Sequence, residues 1–289
     1  MIKDFISKNK IDQVQQLVAR AYNISVEDLN RKIEAVNREG RLSAKCIITV
    51  DLFGLPADYD AVRALADRFG LYIIEDAAQG FGGCNAGRKA CSMGDICTTS
   101  FFPAKPLGCY GDGGACFTNN PEWASLIESY KVHGKGTMKY DNVRIGMNSR
   151  LDTLQASILL VKFDAFVKYE LDNINHIASL YTQHLAGKVK TLPIVPEGYY
   201  SSWAQYTIQF DTQDMRDKVQ VALKEAGIPT MVYYPKPMHK QTAYKDLVLY
   251  GDCPNADMLS QIVLSLPIHP YMMEEEVMVV VDELTKALR

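Results

Sequence analysis

The hydrophobic and polar positions along the chain change rhythm as it proceeds. Residues 1 to about 40 are charged and recur at helical spacing. Val14, Leu17, Val18 and Ala21 share one helical face, and Leu29, Ile33 and Val36 share another. Ser25 stands at an N-cap position, with Asp28 three residues on as a carboxylate near the capping-box position. From Cys46 the pattern becomes β-rich. Cys46 to Leu52 (CIITVDL) predicts a strand, Gly54-Leu55-Pro56 a turn, and Asp58 to Phe69 a helix with Val62, Leu65 and Ala66 on one face. Gly70 supplies its C-cap. Leu71 to Ile74 (LYII) is apolar throughout, which predicts a strand buried on both faces in a helix-covered sheet. Strand, helix and strand at this spacing make a βαβ unit.

Further on, Ser100-Phe101-Phe102 reads as a strand, followed by a turn rich in glycine (Gly108, Gly111, Gly113, Gly114) and a strand-like run from Ala115 to Thr118. Pro121 to Val132 predicts a helix, and His133 to Met147 an exposed loop. Asn148-Ser149-Arg150-Leu151-Asp152 opens a long helix whose stripe of Leu151, Leu154, Ile158, Val161 and Phe166 predicts a core face, running to about His184 with one break. The remainder reads as a small α+β unit. Tyr200 to Phe210 alternates as a strand, Met215 to Ala226 is a helix closed by Gly227, and Thr230 to Tyr234 is a strand stopped by Pro235 and Pro237. A last helix starts at Glu274.

Composition narrows the function classes. The 289 residues are 47% hydrophobic and 22% charged with net charge -3, an ordinary globular balance whose mild acidity argues against a nucleic-acid partner. No apolar run reaches the roughly 18 residues of a membrane span, and MIKDFISKNK does not read as a signal peptide, so a cytoplasmic protein without membrane association is expected. The 7 cysteines are odd in number and form no CxxC pair, and most sit in or beside apolar runs, which predicts reduced, buried thiols. The 5 histidines show no metal-ligand spacing.

The chemistry centres on residues 98 to 115, TTSFFPAKPLGCYGDGGA. Lys105 stands there on a tight loop between two strands. Asp76 follows the strand LYII, at the carboxyl end where open α/β sheets bind ligands. On the residues alone, Lys105 also reads as a surface lysine and Asp76 as a helix N-cap. Together the two suit pyridoxal phosphate: the amine forms a Schiff base with the aldehyde, and the aspartate keeps the pyridine nitrogen protonated. Ser100, shortly before the lysine, is placed for the phosphate.

Five motifs then carry a resemblance: Phe53-Gly54-Leu55-Pro56-Ala57-Asp58, Ile74-Glu75-Asp76-Ala77-Ala78-Gln79, Ser100-Phe101-Phe102-Pro103-Ala104-Lys105, Gly111-Asp112-Gly113-Gly114-Ala115 and Asn148-Ser149-Arg150-Leu151-Asp152. From Tyr22 to the C-terminus the chain resembles the DegT/StrS-type sugar-nucleotide aminotransferases. Lys105 to Tyr110, Thr230 to Pro235 and Ser265 to Tyr271 look closest to the branch that aminates UDP-2-acetamido-2-deoxy-3-oxo-glucuronate.

The resemblance implies an α/β, aspartate-aminotransferase-like fold (fold type I): a mixed sheet covered by helices, with a smaller C-terminal α+β domain. It implies a partial large pyridoxal-phosphate domain over residues 1–165, and a connecting helix with the small domain over 166–289. Lys105 would be the Schiff-base lysine and proton shuttle, Asp76 the partner of the pyridine nitrogen, and Gln79 a neighbour of the ring near its hydroxyl. Ser100 would bind phosphate. The active sites would be shared across a homodimer, with Asn148 of one chain touching the phosphate in the other and Arg150 taking a substrate carboxylate. On residues alone, Asn148 reads instead as a helix cap and Arg150 as half of a surface ion pair. Tyr233 and Tyr234 would line the sugar site or serve the core or an edge strand, and His239 and His269 are weaker candidates. The implied reaction moves an amino group, from glutamate, to a keto group of a nucleotide-linked sugar in bacterial surface polysaccharide synthesis. Family members carry a longer N-terminal segment before the position of Tyr22, with a phosphate-binding turn and a ring-stacking aromatic. The expectation is therefore an N-terminally short chain with impaired activity, or else a non-catalytic, regulatory remnant. A dehydratase of the same family would carry histidine in place of Lys105.

Overall fold

The computed structural model describes residues 22–138, 140–247 and 249–289. The helix expected around Val14 to Ala21 lies outside the described residues. In chain order the elements are α1 (Val26–Glu39), β1 (Cys46–Val50), α2 (Tyr59–Phe69), β2 (Tyr72–Asp76), β3 (Cys84–Asn85), β4 (Arg88–Lys89), β5 (Ile96–Ser100), β6 (Gly114–Phe117), α3 (Pro121–Lys131), α4 (Thr153–Ala165), α5 (Leu171–Leu185), β7 (Tyr199–Tyr200), β8 (Tyr206–Gln209), α6 (Gln213–Glu225), α7 (Pro254–Ile262), β9 (Val263–Leu266) and α8 (Glu274–Ala287). They fall into two compact units that interleave along the sequence. The first holds the described residues up to Val26, then Lys45–Lys168 and Pro196–Ser202; the second holds Glu27–Ala44, Tyr169–Val195 and Trp203–Arg289.

The first unit is built on a sheet in the order β1-β2-β5-β6. β1, β2 and β5 run parallel, and β6 closes the edge antiparallel to β5. The βαβ unit forms as its signals predict. Asp58 caps α2 by accepting the Ala61 N–H at 3.1 Å, and Gly70 ends it in the left-handed region. Val62 and Ala66 on α2 and Ile73 on β2 are buried.

The expectation that Leu71 to Ile74 is buried on both faces does not hold. The strand is shifted to Tyr72–Asp76 and its burial alternates, with Ile73 at 0% exposure and Tyr72 at 57%. Ile48 and Val50 on β1 are open to solvent as well, and so are Cys46 on β1 and Cys116 on β6, against the expectation of buried thiols. The pleat sends alternate residues to opposite faces, so only one set reaches the packed side. On the open side Trp123 of α3 meets the Tyr72 ring edge-on at 5.1 Å.

Two buried acids brace the ends of these strands. Glu75 is 0% exposed and accepts the N–H groups of Cys91, Met93 and Gly94, so one carboxylate orders the turn before β5. Asp51, also fully buried, follows β1. Its Oδ1 accepts the Ala57 N–H at 3.2 Å and the Tyr59 hydroxyl at 2.8 Å. Its Oδ2 has no partner among the described residues. A Cβ on Gly80 would stand 2.5 Å from Asp51 Cβ and Oδ2, so the 77–80 turn passes against this carboxyl only because residue 80 is glycine.

Burial pushes the Asp51 carboxyl well above the usual carboxylate range, and the neighbouring Glu75 charge pushes the same way. The folded state therefore holds a proton there that the unfolded chain releases near pH 3.9. The associated stability is present below that pH and is lost as pH rises through the folded value. Asp51→Asn keeps an acceptor for Ala57 and Tyr59 and cannot ionise. We expect denaturation measured from pH 4 to 8 to show a flatter decline of stability in this variant than in the wild type. An unchanged slope would place the titration elsewhere.

In the second unit β8 and β9 pair antiparallel, Tyr206 against Leu266 and Gln209 against Val263. Around them Tyr181 and Leu185 of α5, Leu223 of α6 and Val277 and Leu284 of α8 form one apolar core with Ile208 and Leu264. Leu264 is 0% exposed, so Leu264→Ala should cost about 2–5 kcal/mol in urea unfolding.

Other boundaries differ from expectation for local reasons. The long helix begins at Thr153 rather than at Asn148, with Asp152 at the N-cap position, and its break is a π-helical turn at Phe166–Glu170 between α4 and α5. Its expected core stripe is not buried as a whole: Phe166 is, but Leu154 and Val161 are exposed. The Tyr200–Phe210 run splits into β7, paired with β3, and β8. Between them buried Ser202 turns aside to donate to the Gln79 carbonyl at 2.7 Å, and Trp203 has φ 49. Thr230 to Tyr234 makes one bridge, Met231 to Ser265, rather than a strand. Pro235 and Pro237 have no N–H with which to extend a ladder. Most of the described residues of the 133–147 loop are exposed, and the Val132–Asn148 and Lys135–Asn142 bridges pin it.

Candidate active site

Asp76 is the last residue of β2 and the Cα partner of Thr98 on β5. Ser100 ends β5 two residues further along. The period of two places Asp76, Thr98 and Ser100 on one face of the sheet, at the carboxyl ends of adjacent parallel strands. Each is half-buried. Asp76 Oδ1 accepts the Ala78 N–H at 3.1 Å, and Ser100 Oγ accepts the Phe102 N–H at 3.2 Å. Opposite Ser100 on β6 stands Gly114, which puts no side chain beside it.

Lys105 lies five positions past Ser100, half-buried, in a loop tied at its base. The Phe101 N–H donates to the Gly113 carbonyl at 2.8 Å, and the Cys109 N–H and Sγ both donate to the Phe101 carbonyl. The Lys105 N–H bonds to Phe102 O at 2.9 Å, so its own backbone is fixed within a tight turn. Leu107, Gly108 and Cys109 are buried beneath the loop.

Gln79 sits on the turn after Asp76, 5% exposed. Its Oε1 accepts the Phe53 N–H at 2.6 Å, and its carbonyl accepts from Ser202. The carboxamide thus braces the Phe53 turn, where Phe53 adopts φ 60. Asn148 and Arg150 are exposed, and Arg150 Nε and Nη2 both donate to Asn148 Oδ1, at 3.0 and 2.7 Å. Neither caps a helix. They line, with Thr98, Gly114 and Lys131, a cavity of about 1060 Å³ beside β6.

Tyr233 and Tyr234 belong to the second unit, where their rings meet edge-on at 5.4 Å. His239 is held by Asp257 at 2.9 Å, and His269 Nδ1 accepts the Tyr271 N–H, which gives both histidines local structural partners.

Thr98 is the member of this face that the sequence reading passed over. The alternation Thr98, Ser100 was available as a signal, but only the β2–β5 register sets Thr98 beside Asp76. Ser202 and Phe53 gave no signal, because their bonds to Gln79 span 123 and 26 residues.

The donor set fits pyridoxal phosphate. An amine on a fixed loop suits the aldehyde, a carboxylate at a strand end suits a protonated pyridine nitrogen, and two hydroxyls on the same face suit the phosphate.

Comparison with known proteins gives the family. The family model described as the DegT/DnrJ/EryC1/StrS aminotransferase family matches residues 15–285. UDP-2-acetamido-2-deoxy-3-oxo-D-glucuronate aminotransferase of Pseudomonas aeruginosa is 41% identical over 266 residues, covering 92% of this chain and 70% of that protein. A protein named pleiotropic regulatory protein, from Geobacillus stearothermophilus, is 38% identical, with coverages of 94% and 73%. A crystal structure of a DegT DnrJ EryC1 StrS aminotransferase from Brucella abortus superposes with TM-score 0.87 at 46% identity, covering 91% of this chain and 70% of that one. The likeness assigns the aspartate-aminotransferase-like α/β fold (fold type I). With a lysine loop, a strand-end aspartate and a family match over nearly the whole chain, the protein belongs to the DegT/DnrJ/EryC1/StrS aminotransferases, and pyridoxal 5'-phosphate is its cofactor.

Proposed function

We propose that this chain transfers an amino group from glutamate to the keto group of a nucleotide-linked sugar, in the synthesis of a bacterial surface polysaccharide. The observation that carries the reading is the single sheet face holding Asp76, Thr98 and Ser100, with Lys105 on the tied loop that follows. The relative from Pseudomonas aeruginosa supports a UDP-linked 3-oxo sugar acid as the acceptor.

When bound, the cofactor supplies an electron sink that stabilises negative charge at the reacting carbon. The chain's residues do the rest. Asp76 would hold the pyridine nitrogen by charge and hydrogen bonding. Ser100 and Thr98 offer hydroxyl donors to the phosphate. Lys105 Nζ would hold the cofactor through its aldehyde, and when free the amine would serve as the base that moves a proton. Arg150 is the proposed partner of a substrate carboxylate. Tyr233 and Tyr234 are proposed to line the sugar site, and Gln79 to stand beside the cofactor ring.

A homodimer with shared sites is part of the proposal, with Asn148 and Arg150 serving the partner's site. Ile145, Leu154, Leu160, Val161 and Val167 are all exposed, and this much apolar surface over 23 residues suits burial against a second copy. The cytoplasm is the proposed location, supported by 7 cysteines that are all free thiols. No helix among the described residues is long and apolar enough to cross a membrane. The large-domain and small-domain roles proposed for residues 1–165 and 166–289 rest on the family likeness.

The deciding experiment supplies purified protein with pyridoxal phosphate, glutamate and a UDP-linked 3-oxo sugar acid, and follows 2-oxoglutarate release while light scattering reads the mass. Release that depends on the sugar, from a dimer, is the expected result. A non-catalytic, regulatory role is the second reading, supported by the relative named as a regulatory protein and by the open face of Ile48 and Val50 beside Asp76. A dimer that binds no cofactor and releases no 2-oxoglutarate would select it.

A further inference from the structure

One side of α4, continued by Phe166, faces the lysine loop with two polar and two apolar side chains. Gln155, Leu159, Lys162 and Phe166 recur at the spacing of a single helical face. Gln155 Oε1 accepts the Tyr110 N–H at 2.8 Å. Lys162 Nζ donates to the Gly108 carbonyl at 2.5 Å and lies 5.6 Å from the centroid of the Tyr110 ring. Phe166, 3% exposed, stacks on Phe81 at 5.9 Å, and Phe81 meets Phe101 edge-on at 6.0 Å.

Gly108 transmits that grip toward Lys105. A Cβ there would stand 2.5 Å from the Pro103 carbonyl oxygen and 2.8 Å from that of Phe102. Residue 108 is thus pressed against the turn whose Phe102 carbonyl holds the Lys105 N–H. A charge-assisted bond from an ammonium to one backbone carbonyl is stronger than a neutral one, and here it falls on the segment that stacks directly on the lysine turn.

We propose that Lys162 is a positioning residue for Lys105: its ammonium, with Gln155 beside it, anchors the 106–111 backbone and thereby fixes where the Lys105 amine stands. Lys162 takes no part in bond making. The inference rests on the role proposed for Lys105 and adds to it a second lysine, 57 positions on, whose task is mechanical. A loop carrying a group that must leave the cofactor and return within each cycle needs such an anchor. A misplacement of about 1 Å at a reacting group can lower a rate by about 100-fold.

The test compares Lys162→Met, which keeps the apolar stem, with Lys162→Arg, which keeps charge and donor, and with Gln155→Ala, which loosens the same loop without touching Lys162. Hydrogen exchange on the cofactor-free protein reads the anchor directly. We expect amides of residues 107–111 to exchange about tenfold faster in Lys162→Met, with Lys162→Arg near wild type, as the loss of one charge-assisted bond implies. With pyridoxal phosphate added, borohydride trapping on the peptide bearing Lys105 should slow in Lys162→Met and recover in Lys162→Arg, and kcat should fall more than KM rises. Unchanged exchange at 107–111 in Lys162→Met and Gln155→Ala overturns the anchor. Altered exchange with wild-type trapping rates overturns its link to Lys105. A wild-type protein that is never trapped at Lys105 overturns the functional reading instead, while the exchange result still stands or falls by itself. If Lys162→Met does not fold, the same exchange and trapping readouts on Gln155→Ala decide.

Discussion

Lys105→Ala should leave a folded protein that loses pyridoxal phosphate on gel filtration and whose amino transfer falls by about 100- to 10,000-fold, the range for losing a positioned proton-transfer group. The fold should survive because no tie of the loop uses the Lys105 side chain. Lys105 contributes its N–H to Phe102, and the ties at Phe101, Cys109 and Gly113 involve no lysine side chain. Absorbance of the bound cofactor, borohydride trapping and thermal unfolding read the three quantities separately. Added alkylamine should restore part of the rate, since a small amine can occupy the vacated space and carry the proton. A variant that kept both its cofactor and a tenth or more of its turnover would remove Lys105 from the reaction.

Asp76→Asn should give a different signature. The amide oxygen can still accept the Ala78 N–H, so the turn after β2 keeps its hydrogen bond and stability should change by about 1 kcal/mol or less. What is lost is a negative charge at the carboxyl end of β2. The pyridine nitrogen then has no counter-charge, and the electron sink weakens. We expect kcat to fall by about 100- to 1000-fold, comparable to removing one preorganised electrostatic group from a reacting centre, while the variant can still be trapped at Lys105. Trapping retained with turnover lost separates Asp76 from Lys105. A variant with undiminished kcat would show that Asp76 acts only as the turn residue its hydrogen bond to Ala78 also makes it.

The two residues with the largest expected effects were legible from sequence for a physical reason. Lys105 lies in a run where glycines and two prolines force a tight loop between two apolar segments, and Asp76 ends an apolar run at the side of the sheet where ligands collect. Both are local signals. Thr98, Ser202 and the α4 face of Gln155 and Lys162 were not legible, because each acquires its role from a partner far along the chain. Tyr72 shows the same limit in burial. Its segment is uniformly apolar, and a pattern without alternation carries no information about which face is covered.

By itself, then, the sequence determined the βαβ core, the capping of α2, the lysine loop and the family, since those follow from residues within a few positions of one another. The tertiary structure decided which half of each strand faces the packed side, and that Asp76, Thr98 and Ser100 share one face. It decided that the run from Tyr200 breaks where Ser202 turns to the Gln79 carbonyl, and that α4 starts at Thr153 and holds the lysine loop from outside. Register, pairing and packing join residues 20 to more than 100 positions apart, and no local propensity encodes which of the possible partners a strand or helix will meet.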